Sequence, residues 1–126
     1  MQRALVGMTT PVLPLTDDIA AMPLIGALDS MRAAQAMEVA LDYVARTNSR
    51  FLILDLSGVP VVDTQVAAAV LKTIQAVGLI GGTCIVSGIQ PAVASTMVEL
   101  GIDMTGVQTR STLKAGLQTA LAMVKT

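Results

Sequence analysis

The chain has 126 residues, enough for one domain with a single core, and 53% of them are apolar against 13% charged. This composition excludes a disordered chain, and its low charge predicts that part of the surface meets a partner. A net charge of −1 and an aromatic fraction of 2% argue against nucleic-acid binding, which needs a basic footprint and stacking rings.

The sequence also lacks the signals of several other classes. No apolar run approaches the roughly 18 residues that span a bilayer, and the first eight residues do not form a secretory signal, so we expect a cytoplasmic protein without membrane contact. The absence of histidine excludes Ser-His-Asp and Cys-His catalysis and histidine-ligated metals. The single Cys84 is predicted to be a buried thiol. We expect no cofactor, and an enzyme is the least favoured class.

The first third of the chain predicts a hairpin followed by a helix. Residues 1–10 look irregular, 12–15 fit an edge strand, and 19–25 fit a second strand interrupted by a proline. Asp29 or Ser30 is expected to cap the first helix. The apolar face of that helix is predicted to contain Ala34, Met37, Leu41 and Val44.

The stretch 51–78 changes from the period of a strand to that of a helix. Residues 51–56 are rich in strand formers and predict a central strand, and Ser57 and Gly58 are interpreted as the turn that ends it. Beyond the loop, apolar residues recur at helical spacing, at Val66, Val70, Ile74 and Val77. A strand therefore leads into a loop, and the loop leads into a helix.

The rest of the chain repeats this alternation. The pattern predicts a strand at 83–87, a helix at 91–100, a short strand at 107–109 and a last helix capped by Ser111. The order β-β-α-β-α-β-α-β-α indicates right-handed crossovers and a mostly parallel sheet, with the leading hairpin adding a mixed edge. We expect a single α/β domain over residues 1–126.

Asp63 and Thr64 stand where the central loop meets the second long helix. Both are cap-type residues, and an N-cap that accepts from the first helical turn would explain them without further function. In the alternative interpretation, the Thr64 hydroxyl accepts a phosphoryl group. A phosphate there would meet unpaired N–H groups and the positive end of the helix dipole, while Asp63 would repel it. Spacing alone leaves both interpretations open.

Two other groups of polar residues are candidates for a site. Asp55 alternates outward near the carboxyl end of the central strand, where ligands gather in open α/β sheets, and Ser57 and Ser87 lie nearby. We expect Asp55 to support loop structure, with a small-ligand ridge as the alternative. Ser95 and Thr96 lie inside the third helix, where hydroxyls commonly face solvent or bond a preceding carbonyl.

The sequence contains three further motifs, GVPVVDT at 58–64, GI-x-P at 88–91 and ELGID at 99–103. Together they resemble the STAS domain of anti-sigma-factor antagonists, and more closely the RsbR-type stressosome proteins. The resemblance implies a STAS (SpoIIAA-like) fold, with a small mixed sheet whose helices pack mainly on one face.

The resemblance also implies site residues and partners. The threonine after the aspartate is phosphorylated in this family by an RsbT-type switch kinase, and Thr64 matches it; Thr96 matches a second acceptor. The implied function is non-catalytic partner switching in stress signalling, with RsbS-type STAS scaffolds in a homo- or hetero-oligomer. We expect the loop that carries Thr64 to be supported by Asp55, Ser57, Gly58 and Asp63.

The chain departs from the family pattern in ways that leave alternatives open. RsbR-type proteins usually carry an N-terminal sensor domain, so the chain is either a stand-alone STAS protein or a fragment of a longer one. Gly78 and Gln90 stand where relatives often have arginine. A nucleotide-type ligand module is the alternative function, and the STAS part of an anion transporter is a weaker one.

Overall fold

A computed structural model of the protein describes residues 11–125. The irregular segment expected over residues 1–10 lies outside this range. Within the described residues the chain forms five strands and four helices in the predicted order: β1 (Leu13–Pro14), β2 (Ile19–Ile25), α1 (Ser30–Thr47), β3 (Phe51–Gly58), α2 (Thr64–Leu79), β4 (Thr83–Ser87), α3 (Pro91–Glu99), β5 (Gln108–Arg110) and α4 (Leu113–Val124).

The strands form one sheet in the order β1-β2-β3-β4-β5. β1 runs antiparallel to β2, whereas β2 to β5 are all parallel, so the predicted mixed edge is confirmed. β2 continues through Pro23 with a register shift between Pro23 and Ile25. Since β1 pairs only as far as Ala21, the missing N–H of Pro23 breaks no bond to it. The four parallel strands end at one carboxyl edge of the sheet.

The two faces of the sheet are covered unequally. Even-numbered β3 residues such as Leu52 and Leu54 join the larger core, which α1, α2 and α3 cover. Odd-numbered residues such as Ile53 form a smaller core under α4. A Cβ at Gly116 of α4 would lie 3.4 Å from Ile53 Cγ2, so the absent side chain lets α4 lie close to the strands. The expected packing of helices mainly on one face is confirmed, and α4 is the exception.

The buried face of α1 differs from the prediction by about one residue. The residues that contact the core are Ala33, Ala36, Ala40 and Val44, and Ala34 is exposed. Met37 and Leu41 are half-buried at the margin of this stripe. The small alanines let α1 lie close to the sheet, so the larger side chains that dominate the apolar pattern flank the contact. On α2, Thr73 similarly takes a buried position and donates to the Ala69 carbonyl at 2.8 Å.

β3 is longer than expected at its carboxyl end. Ser57 and Gly58 were expected to end the strand as a turn, but both belong to β3, and Gly58 pairs with Ile25. The Gly26 amide donates to the Gly58 carbonyl at 2.8 Å, which holds the ends of β2 and β3 together. The strand therefore carries its pairing up to the loop that precedes α2.

Across residues 11–125, the helices are too short or too polar for any of them to cross a lipid bilayer.

Candidate functional site

Asp63 is the N-cap of α2, and Thr64 is the first residue of that helix. Asp63 has extended backbone angles, and its Oδ1 accepts a 2.8 Å hydrogen bond from the Val66 amide. Thr64 is exposed, and its hydroxyl makes no hydrogen bond to another residue in the range 11–125. Asp63 alone therefore supplies the cap, and the Thr64 hydroxyl is left accessible beside the positive end of the helix.

The loop before Thr64 is anchored by apolar side chains. Val59 and Val62 are buried in the larger core, and the Val59 amide donates to the Leu56 carbonyl at 3.0 Å. Val61 between them faces solvent and is 62% exposed. The loop is thus short, and it is fixed by its buried valines and by the Asp63 cap. This arrangement holds Thr64 at a defined place on the carboxyl edge of the sheet.

Asp55 lies behind this loop in a buried hydrogen-bonded group. It is 7% exposed, and both of its carboxylate oxygens accept from serines: Ser57 Oγ donates to Oδ2 at 2.5 Å and Ser87 Oγ to Oδ1 at 2.7 Å. Ser87 is fully buried. The Asp55 side chain lies on the opposite face of β3 from Leu54 and Leu56, as predicted, but it does not face solvent. Since both oxygens are occupied within the protein, the geometry favours loop support over a ligand ridge at Asp55.

Gly58 and Gly88 allow the strand ends to approach one another closely. A Cβ at Gly58 would lie 3.3 Å from the Leu24 carbonyl oxygen. Gly88 has a φ of +73°, and a Cβ there would lie 2.8 Å from Ser57 Cβ and 2.9 Å from Asp55 Oδ1. A side chain at position 88 would therefore be strained by the left-handed backbone conformation. It would also clash with Ser57 and Asp55.

Sequence reasoning missed the contribution of Gln90. This residue precedes α3, and its Nε2 donates a 2.7 Å hydrogen bond to the Ser57 carbonyl. The GI-x-P motif marked the turn, but a bond between residues 33 positions apart leaves no local pattern. The structure therefore brings four of the expected residues, Asp55, Ser57, Gly58 and Asp63, to the segment leading to Thr64. It places Ser87 beside Asp55, as expected from the sequence, and it adds Gly88 and Gln90.

Thr96 lies on a different helix from Thr64. It is half-buried near the middle of α3, and its Oγ1 donates to the Ala92 carbonyl at 3.0 Å. This is the back-bonded arrangement expected of a mid-helix hydroxyl. The Thr96 oxygen would have to leave that bond, or share it, before it could react.

Two other kinds of reactive group, a thiol and a metal-binding cluster, do not contribute to this site in the described part of the chain. Burial raises the pKa of the Cys84 thiol to about 12, so at neutral pH it is protonated and inert. Between residues 11 and 125, no three of the acidic and cysteine side chains lie close enough together to hold a metal ion.

The sequence matches the STAS domain family over residues 10–120, which is most of the chain, and the chain belongs to this family. Within the family its sequence resembles the RsbR type. It is 43% identical over 120 residues to the RsbT co-antagonist protein RsbRA of Bacillus subtilis, covering 95% of this chain and 44% of that protein. It is 40% identical over 110 residues to RsbRD of the same organism, covering 87% of this chain and 40% of RsbRD. The chain thus spans less than half the length of these curated relatives.

Solved structures agree with this placement. A variant of RsbS from Moorella thermoacetica superposes with a TM-score of 0.81 at 28% identity, covering 93% of this chain and 98% of its own. A chain from a structure of the stressosome, described as a signal integration and transduction hub, superposes with a TM-score of 0.75 at 27% identity, covering 92% of this chain and 100% of its own. The STAS fold expected from the sequence is confirmed.

Proposed function

We propose that this chain is a non-catalytic regulatory STAS domain in the cytoplasm, part of a stressosome-like partner-switching system, and that phosphorylation of Thr64 controls it. The observation that carries the proposal is the exposed Thr64 hydroxyl, unpaired within the described residues, on the first turn of α2 directly after the Asp63 cap. The partners we propose are an RsbT-type serine/threonine kinase and an RsbS-type STAS scaffold.

The position of Thr64 suits a switch based on charge. A phosphate adds a charge of about −1.5 to −2 at neutral pH, next to the Asp63 carboxylate and to the first-turn amides. Attraction to the helix end favours an ordered phosphate, while repulsion from Asp63 weakens the cap that Asp63 gives to Val66. The modified and unmodified forms would therefore differ both in surface charge and in the order of the first turn.

Exposed apolar side chains at the same edge support a protein partner. Ile25 at the end of β2, Met31 in the first turn of α1 and Val61 in the loop before Thr64 are all more than half exposed. These residues come from three segments that meet at the carboxyl edge of the sheet. A partner docked there would cover apolar surface and contact Thr64 at once, so adding a dianion would weaken its binding.

The names of the relatives support the same kind of function. The similar Bacillus subtilis proteins are called RsbT co-antagonists, and a similar structure belongs to the stressosome. Because those relatives are more than twice as long, the proposal concerns the STAS part alone. Thr96 is the second acceptor we propose, and its bond to Ala92 predicts slower modification than at Thr64.

The test is a kinase assay with mapping of the modified residues. The protein, its Thr64→Ala variant and a Thr64→Ser variant are incubated with an RsbT-type kinase and ATP, and the phosphorylated positions are determined by mass spectrometry. We expect phosphate at position 64 in the native protein and in Thr64→Ser, with loss of that site in Thr64→Ala. Thr105→Ala, which alters an exposed loop threonine, is the matched control.

Two results would contradict the proposal. The first is an unmodified Thr64 under conditions in which the kinase phosphorylates an RsbS-type protein. The second is equal binding of Thr64→Asp and Thr64→Ala to the kinase and the scaffold, measured by calorimetry.

A further inference from the structure

Gln90 does not use its side chain as the N-cap of α3, although it occupies the cap position. Its backbone is extended, Pro91 follows as the first helical residue, and no side-chain cap bond is made. The Gln90 amide group instead donates at 2.7 Å to the Ser57 carbonyl on β3. The start of α3 is thereby attached to the carboxyl end of a strand that lies well back along the chain.

Ser57 is held on several sides. Its hydroxyl donates to Asp55, its carbonyl accepts from Gln90, and Gly88 lies against its Cβ and amide. The Asp55 carboxylate also accepts from Ser87 at the end of β4. The ends of β3 and β4 and the beginning of α3 therefore form one hydrogen-bonded unit, in which Gln90 is the side chain that reaches from α3.

The same serine begins the segment that carries Thr64. From Ser57 the chain passes through buried Val59 and Val62 to the Asp63 cap, with only the exposed Pro60 and Val61 between the two buried valines. A disturbance of the cap at Asp63 acts on a short segment fixed at both ends, and Ser57 is its other end. From there the Gln90 bond leads to α3, the helix that carries Thr96.

We propose that Gln90 couples the two threonines: its bond to Ser57 transmits a change at Thr64 to α3, and a change in α3 back to the Thr64 loop. This inference rests on the proposed function for the meaning of the coupling, because it assumes that both threonines are acceptors. The coupling itself is a property of the fold. Because the coupling free energy between two sites is reciprocal, a change that loosens α3 also loosens the Thr64 loop.

Amide hydrogen exchange followed by mass spectrometry measures this coupling without a kinase. We expect Gln90→Ala and Gln90→Glu to speed exchange in segments 57–64 and 91–97 by about two- to tenfold, the factor that one net hydrogen bond contributes. Gln90→Glu keeps the shape but lacks the N–H donor, whereas Gln90→Arg keeps donors and should restore slow exchange. Gln118→Ala, at an exposed position of α4, is the matched control and should leave both segments unchanged.

The decisive arm combines these variants with Thr64→Asp. The added carboxylate repels Asp63, so Thr64→Asp should speed exchange in 91–97 when Gln90 is present. In the Gln90→Ala background it should have no further effect on 91–97. Equal effects in both backgrounds, or no effect on α3 in either, would overturn the coupling. Failure of the proposed function would show separately, as an unmodified Thr64 in the kinase assay.

Discussion

The Ser87 hydroxyl donates a 2.7 Å hydrogen bond to Asp55 Oδ1, joining the carboxyl ends of β3 and β4 inside the protein. Ser87 is fully buried, and Asp55 is nearly so. Removal of the aspartate would leave a buried hydroxyl without this acceptor and would release Ser57 as well.

Asp55→Ala should therefore lower the free energy of unfolding by about 1–3 kcal/mol, the desolvation penalty of unsatisfied buried groups. Urea unfolding followed by circular dichroism measures the change. Asp42→Ala is the control, because the Asp42 ion pair with Arg46 is exposed and contributes less than about 0.5 kcal/mol. A loss at Asp55 no greater than at Asp42 would show that the buried group does not stabilise the fold.

Gly88→Ala should destabilise the protein by about 2–4 kcal/mol, because it adds left-handed backbone strain to a steric clash. The new Cβ would lie 2.8 Å from Ser57 Cβ. Gly101→Ala isolates the first effect, since Gly101 has a φ of +74° and no atom within 4 Å of the added carbon. We expect a loss of about 1 kcal/mol there. Thermal unfolding of both variants measures the difference, and similar losses would argue against close packing at Ser57.

Asp63→Ala should cost about 1 kcal/mol of stability, since the Val66 amide loses the side-chain oxygen that caps it. Asp63→Asn keeps an oxygen at the same place and should be near neutral. Chemical denaturation distinguishes the two variants. Under the proposed function, Asp63→Asn should also lessen any destabilisation caused by phosphate on Thr64, because it removes the neighbouring negative charge. An equal loss of stability in both variants would contradict the capping role.

Cys84 predicts a pH dependence of stability. Burial raises the pKa of its thiol from an ordinary value of 9.0 to about 12 in the folded protein. Because the Cys84 thiol ionises at lower pH in the unfolded chain than in the folded protein, the stability that comes from keeping this thiol protonated depends on pH. That stability is fully present below pH 9, falls as pH rises above 9 and is lost by about pH 12.

The slope expected in this window is up to about 1.4 kcal/mol per pH unit. Urea unfolding at about pH 8 and about pH 10, on either side of the unfolded thiol's pKa, measures it. Cys84→Ala is the control that lacks the titrating group. The thiol should also react with an alkylating reagent far more slowly in the folded protein than in urea. Equal pH dependence in the native protein and Cys84→Ala would contradict this account.

Much of the fold could be predicted because its signals are local. The alternation of strand and helix periods indicated the order of elements, and the joint at Asp63 and Thr64 was visible as cap-type residues before a helical repeat. The motifs around 58–64 and 88–91 pointed to the family, which the match over residues 10–120 confirmed. Each of these signals lies within a few neighbouring residues.

The contacts that support the Thr64 loop could not be predicted in this way. The bonds from Ser87 to Asp55 and from Gln90 to Ser57 join residues 32 and 33 positions apart. They depend on the parallel register that sets Asp55 beside Ser87, and single-residue patterns do not encode it. The shifted face of α1 has another cause, because its alanines contribute little to an apolar pattern, yet three of them are buried against the core.

Because α4 is the one described helix on the second face of the sheet, that face is covered late when the chain folds during synthesis. α4 follows all five strands in sequence, and among the described helices it alone packs over the side chains of Phe51, Ile53 and Ile85. During synthesis the strands can pair and bury their first face before α4 has left the ribosome. The other face then meets water as a bare apolar patch. We expect nascent chains that stop before residue 113 to recruit chaperones, and chains that include α4 to release them.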